Sequence, residues 1–390
     1  MYLLLVGLGL TAVLALVMLW FYADKPCIGT HPVGLWSFVA ILFTTSLDIG
    51  LVMLPLTEFP RYADTGKFPQ YSLTNPLAME FAMWGCLNWA LYFVSSLYFC
   101  LLEPRLGFFR LVWVNRLNSL VIIGTCAFTL HLFMVNLPWY LPALQDKPYA
   151  HVAANLLLAV VLLCAIVSSL HLRWLTWLSR ASLWALLGAI VLLYWDAGVQ
   201  WQQYMGYLGE LADYFRVMPL LLMPLDDQHE FYLLWWFSWS IMIGQFMARF
   251  LNGIKPWRLL LVLLLLPSIP IALWFSLLYH FQVQNLSLST LAVAVMLALG
   301  ILFLINSLDS LIRLYAENLN LDALRLGTSR YILLHFILLM VLGMLYNAQW
   351  LKIQLFGALV ILLYILGLAY WARHRNQATS LSLQHRRKTR

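Results

Sequence analysis

What most constrains this chain is a pattern that recurs eleven times between residues 2 and 371: a long apolar run with few charges. A helix needs about 20 such residues to cross the roughly 30 Å hydrocarbon core, where every backbone N–H and C=O must be paired within the segment. The runs fall at 2–22, 33–56, 77–102, 117–137, 151–172, 178–194, 231–250, 257–279, 287–314, 329–345 and 348–371. They predict an all-α polytopic membrane protein of about eleven transmembrane helices. Only 10% of the residues are charged and 63% are hydrophobic, against about 25% and 45–50% in soluble domains. That excludes a soluble enzyme and a nucleic-acid module. The first run has no basic n-region and no A-x-A-like site, so a retained span is expected rather than a signal peptide.

Basic residues set the expected orientation. With the N-terminus outside, 18 of the 23 Lys and Arg fall on the cytoplasmic side; Arg61, Lys67, Lys147, Arg216 and Lys352 fall outside. The expectation is a multi-pass protein of the plasma (inner) membrane, N-terminus out and C-terminus in. Its segments read as an extra N-terminal helix and loop (1–32), a five-helix unit (33–195), a connector (196–230), a second five-helix unit (231–371) and a basic tail (372–390). Within the connector, 200–216 mixes Trp201, Tyr204, Tyr207, Leu208 and Leu211 with polar residues, which suits a helix lying along the outer interface. The tail is expected to be disordered and drawn to anionic headgroups by about 1 kcal/mol per basic residue. The five cysteines form no CxxC pair and read as small packing residues, with no metal or cofactor site.

The strongest local signal is aromatic. In the third run Trp84, Trp89 and Tyr92 fall within an arc of about 140° of a helix; in the seventh, Trp235, Trp236 and Trp239 fall within about 100°. Membrane tryptophans usually sit at the headgroup belt. Six aromatics on two narrow faces also fit a cage of π-faces, which binds a quaternary ammonium group at about 0.5–2 kcal/mol per ring. Such a ligand has no N–H to offer a carboxylate.

The segment Trp235-Trp236-Phe237-Ser238-Trp239-Ser240-Ile241-Met242-Ile243-Gly244-Gln245-Phe246-Met247-Ala248-Arg249 resembles the signature helix of the betaine/choline/carnitine transporter family, W-W-x-S-W-x-P-F-V-G-x-F-x-A-R. Trp84-Gly85, Trp89 and Tyr92 are similar to its companion W-G-x3-W-x2-Y. Pro267-Ser268 and Trp274-Phe275-Ser276 follow at the family spacing, and Asn306-Ser307-Leu308-Asp309-Ser310 is similar to its T-S-x-D-S segment. The resemblance runs from about Trp36 to Trp371. It implies a LeuT-type core of ten helices in two inverted repeats of five, with one extra N-terminal helix where the family has two. It also implies a substrate site between the first and sixth core helices, one of them unwound, and homotrimeric assembly. Departures are clear: G-M-G-I-G in the first core helix is here Ser46-Leu47-Asp48-Ile49-Gly50, Met242 replaces a proline, and Met83 replaces a histidine.

Acids within the spans need a partner or a function. Asp48 replaces a glycine at the expected unwound segment, where it would hydrogen-bond freed backbone N–H groups, face the cage, or couple an ion. Asn306 and Ser307 match the family's sodium-ligating pair. Asp309 reads as a structural acceptor between crossing helices or as an ion site. Glu58 resembles the acid of the family's A-E-P turn, and Glu80 reads as a helix-start charge. No HExxH, nucleophile or GxxxxGK[ST] motif occurs, so neither an enzyme nor an ATPase is expected. The resemblance implies secondary import of a trimethylammonium solute (choline, glycine betaine or carnitine) coupled to H+ or Na+, with contacts to membrane lipids. An Asp48 carboxylate would repel betaine's own, which favours choline. A transport-inactive sensor or scaffold is the alternative.

Overall fold

The computed structural model describes residues 2–47, 49–141, 147 and 149–388, without the side chains of 49, 53 and 375–388. Asp48 lies outside the described residues. The chain is an all-α polytopic membrane protein. Among the described residues, nine helices or near-continuous helix pairs are long and apolar enough to cross a membrane. They match nine of the eleven expected runs. The other two depart for visible reasons. The second is broken into α2 (Leu35–Ser46) and α3 (Ile49–Ala63), and the seventh, α10 (Asp227–Met247), opens on the polar Asp227, Gln228, His229 and Glu230.

Helix α1 is Tyr2–Tyr22. The third run is α4 (Pro76–Trp84) and α5 (Leu87–Leu97), with a π turn at Tyr98–Leu102. Then come α6 (Val112–Tyr140), α7 (Ala150–Ser168), α8 (Leu172–Asp196) and the connector helix α9 (Trp201–Glu210). After α10 follow α11 (Pro256–Leu265) and α12 (Ser268–Val283), α13 (Thr290–Leu319), α14 (Thr328–Asn347) and α15 (Ile353–Lys388). Two short strands, β1 (Cys27–Ile28) and β2 (Asn252–Ile254), pair antiparallel with Cys27 opposite Ile254. The backbone of α15 continues as helix to Lys388, into the basic tail. No Gly or Pro interrupts 368–388, and Ala, Gln, Leu and Arg propagate a helix well.

Without water, close packing rather than hydrophobicity joins helices in a membrane, and small residues permit it. Helix α10 shows this on two sides. A Cβ at Gly244 would strike the Ser95 side chain of α5, and one at Gly357 would strike the Leu234 carbonyl. Ser95 Oγ also donates to Ser240 O at 2.6 Å, and Tyr364 OH to Ser240 Oγ at 3.1 Å. These contacts hold α10 between α5 and α15, with its aromatic residues buried inward. The lipid-facing sides of α1, α7, α8 and α14 show Leu16, Val160, Trp184 and Ile337 instead.

Candidate functional site

The two helix breaks shape the site. At the first, Leu47 is extended (φ −115°, ψ 139°), a conformation open to any side chain, so the chain unwinds here without the glycines of the related pattern. Ser307 of α13 takes up the freed carbonyls: its Oγ donates to Leu47 O at 2.8 Å and, more weakly, to Thr44 O at 3.4 Å. At the second, Gly85 ends α4 and Cys86 takes φ 26°, which is uncommon for a non-glycine residue. The Cys86 N–H donates to Ser268 Oγ at 2.8 Å, and the Leu87 N–H to the Tyr214 hydroxyl at 3.3 Å. Asn88 Nδ2 reaches back to Met83 O at 2.7 Å and Ala82 O at 3.1 Å. A packed polar shell thus holds the break open.

Between these breaks lies an aromatic cluster. Trp84 meets Trp235 edge to face at 5.4 Å and Trp236 at 6.0 Å. Trp236 stands 5.7 Å from Tyr92 and 6.1 Å from Trp89, and its indole N–H donates to Met83 O at 2.7 Å. Trp89 packs on Tyr92 at 5.5 Å and donates to Trp84 O at 3.0 Å. Trp84, Tyr92, Trp235, Trp236 and Trp239 line one cavity together with Ser46 at the end of α2. Trp89 braces it without lining it. The cavity measures about 10 Å³, room for one water, so the rings close on one another in this conformation. Among the described residues, the Trp235 and Trp239 indole nitrogens and Ser46 Oγ are buried without a hydrogen-bond partner.

Glu80 departs from the helix-start reading. It is fully buried, and its Oε1 accepts the Trp84 indole N–H at 2.9 Å. Ser46, Glu80, Tyr214 and Ser268 went unread as site residues because their relation to the cage runs through the fold. The helix breaks themselves are the signal that points to Ser46 and Ser268.

The expected ion-coupling residues Asn306, Ser307 and Asp309 lie together on α13, buried and each bonded to protein. Asn306 donates to Ser182 Oγ at 2.9 Å and accepts from Ser179 Oγ at 3.2 Å. Asp309 accepts from Arg313 at 2.8 Å and from Ser168 at 2.6 Å. At the connector end of the bundle, Asp226 caps α10 through the His229 N–H at 2.9 Å and accepts from Tyr71, Gln70 and Arg61 at 2.6, 2.9 and 3.2 Å. Burial works against the Asp226 carboxylate, but those bonds and the Arg61 charge outweigh it and hold its pKa below the ordinary value. The connector helix α9 packs on α12, with Tyr204 OH donating to Leu273 O at 2.8 Å.

No family model matches this chain. It is 24% identical over 279 residues to an uncharacterized transporter of Mycobacterium tuberculosis, covering 62% of this chain and 47% of the relative. It is 24% identical over 280 residues to the glycine betaine transporter OpuD of Bacillus subtilis, covering 62% and 54%. A glycine betaine/proline/choline transporter of Vibrio parahaemolyticus is 30% identical over 79 residues, 18% of this chain and 14% of that one. The chain is a distant relative of betaine/choline/carnitine transporters. It spans about half the length of the curated relatives it matches. These named relatives are transporters rather than enzymes. Among solved structures, a substrate-bound, outward-open Na+-coupled sialic acid symporter aligns with TM-score 0.47 at 15% identity, over 96% of this chain and 82% of that one.

Proposed function

We propose that this protein is a secondary transporter that imports a small trimethylammonium solute, bound in the cage of Trp84, Tyr92, Trp235, Trp236 and Trp239 and braced by Trp89. The observation that carries this reading is the convergence of five aromatic rings from α4, α5 and α10 on one cavity beside two helix breaks. Ring faces attract a cation that has no N–H to donate, and burial strengthens that attraction. The solute is choline, glycine betaine or carnitine; Asp48, as an acid at the first break, tilts the choice to choline.

In this reading 33–195 and 231–371 are the two inverted repeats around the 196–230 connector. Transport opens the cavity by moving α4 away from α10 about the break between α4 and α5. The coupled cation is H+ or Na+. For Na+, Ser307 Oγ with the Leu47 and Thr44 carbonyls forms the kind of oxygen set a hard cation takes, while Asn306 and Asp309 serve from bonds they already make. A choline cation is drawn inward by about 2.3 kcal/mol per 100 mV without any co-ion, whereas a zwitterion gains nothing from the potential and depends on one.

The basic-residue asymmetry places the N-terminus outside, with lipid contacts along the apolar flanks. A reporter joined after Arg390 is expected to be active only in its cytoplasmic form; periplasmic activity would reverse the orientation. The small closed cavity favours one other reading, a transport-inactive sensor. Radiolabelled uptake in a transporter-null cell separates the two. Saturable accumulation of choline, glycine betaine or carnitine supports transport, and binding without accumulation of any of the three supports the sensor.

A further inference from the structure

Solute recognition by ring faces makes no use of the acid that touches the cage. Glu80 sits one turn before Trp84 on α4, with Oε1 on the Trp84 indole N–H and Oε2 buried without a hydrogen-bond partner among the described residues. Among the described residues no basic side chain forms an ion pair with it. A bare carboxylate sealed from water is far less stable than the neutral acid, so an acid in such a place needs a proton or a cation. A second acid faces it from α3. Glu58 acts electrostatically on Glu80, and the Tyr62 hydroxyl lies against both carboxyls. Glu58 Oε1 accepts from Gln228 at 3.1 Å, and Oε2 is likewise buried without a hydrogen-bond partner among the described residues. Two buried carboxyls that repel one another do not readily both ionise, and a proton on one of them relieves the repulsion.

Polar groups flank the pair on both sides. At one end Gln228 stands two residues from Asp226, which gathers Arg61, Gln70 and Tyr71 at the connector face. At the other, Trp84 is itself a wall of the cage. The groups facing Glu80 are Glu58 and Tyr62 of α3 and Trp84 of its own helix, with Tyr232 of α10 facing Tyr62, and Arg61 and Asp226 facing Glu58.

We infer that Glu80 is the proton-carrying site of this protein, loaded from the connector face through Glu58 and coupled to the cage by its hydrogen bond to Trp84. This inference rests on the cage being the solute site. In the loaded state the proton sits on a Glu80 carboxyl oxygen and the other oxygen keeps the Trp84 indole N–H. A solute that displaces the Trp84 ring disturbs that bond, so solute and proton occupancy are linked. One proton enters with each solute and leaves on the opposite side. For a zwitterion this moves one net positive charge, which the membrane potential drives inward.

Full-length protein tests this in two steps. Infrared spectra of the purified protein are expected to show a protonated-carboxyl band that is lost in Glu80→Gln. An unchanged band in that variant overturns the inference without any solute being needed. Choline and glycine betaine are then added to weakly buffered protein, with binding followed by tryptophan fluorescence and protons by electrode. Wild type is expected to exchange protons on binding. Glu80→Gln, whose amide oxygen still accepts from Trp84, is expected to bind but exchange none. Binding with equal proton exchange in both, or with none in wild type, overturns the inference and leaves the cage standing. A Glu80-dependent band with no binding of either solute overturns the cage and with it the coupling. If Glu80→Gln does not fold, Glu58→Gln carries the test: slowed proton exchange with binding kept supports the relay, and unaltered exchange overturns it.

Discussion

Gly357→Leu is expected to leave no properly folded protein, and Gly357→Ala to lower the melting temperature sharply. A Cβ at this position meets the Leu234 carbonyl and lies 2.8 Å from its carbon and 3.0 Å from its Cα. These are backbone atoms of a helix and cannot rotate away, so α10 and α15 must separate. Overpacking of a buried contact costs about 1–3 kcal/mol when side chains yield, and a backbone obstacle sits at or above that range. Against a total stability of about 5–15 kcal/mol, the leucine variant, with three more carbons to place than alanine, removes a large share of the margin. Leu234 directly precedes Trp235, so the same displacement tilts a wall of the cage. Gly188 on α8 is the control, because a Cβ there meets nothing within 4 Å. Thermal melts of detergent-solubilised variants decide the point. Equal melting temperatures for Gly357→Ala and Gly188→Ala would refute the packing described for α10.

The second large effect is expected at Trp236, whose ring touches Trp84, Trp89 and Tyr92 and whose N–H satisfies Met83 O. Trp236→Ala should lose about 3–5 kcal/mol of stability from cavity formation. It should also weaken binding of a trimethylammonium solute by the one ring face removed, about 0.5–2 kcal/mol, or up to roughly thirtyfold in Kd. Trp236→Phe keeps a ring face but gives up the hydrogen bond. It should lose about 1 kcal/mol of stability while retaining most of the affinity. Fluorescence titration at a temperature where all three proteins are folded measures this. Affinity that follows the melting temperature rather than the ring would assign Trp236 a packing role alone.

Much of this architecture is legible in the sequence because the bilayer allows few solutions. Apolar runs of spanning length mark most of the helices, and the narrow helical arcs of Trp84, Tyr92, Trp235, Trp236 and Trp239 meet at one cavity. The break after Ser46 was harder to read. Glycine scarcity argues against unwinding, yet an extended Leu47 needs no glycine, and the serine that donates to its carbonyl lies 260 residues away. Glu80 departs from the helix-start expectation for a similar reason. As the fifth residue of a helix it looks like an end charge, and only the packing of α3 across α4 shows that it is sealed from water. Trp89 carries the same helical signal as the cavity-lining rings but falls behind them. Local periodicity resolves a face and not the depth along it. Asp48 lies outside the described residues, so its bearing on choline rests on sequence alone.

The central claim is that the cage recognises positive charge through ring faces. The most direct measurement is the affinity of purified protein for choline against its neutral carbon isostere, in which a tert-butyl group replaces the trimethylammonium. The two have nearly the same shape and differ in charge. Cation–π recognition predicts that the isostere binds at least about tenfold more weakly, a difference of about 1.4 kcal/mol or more. Equal affinity for the two, or binding of neither, would contradict a charge-reading cage and leave the six aromatics as packing.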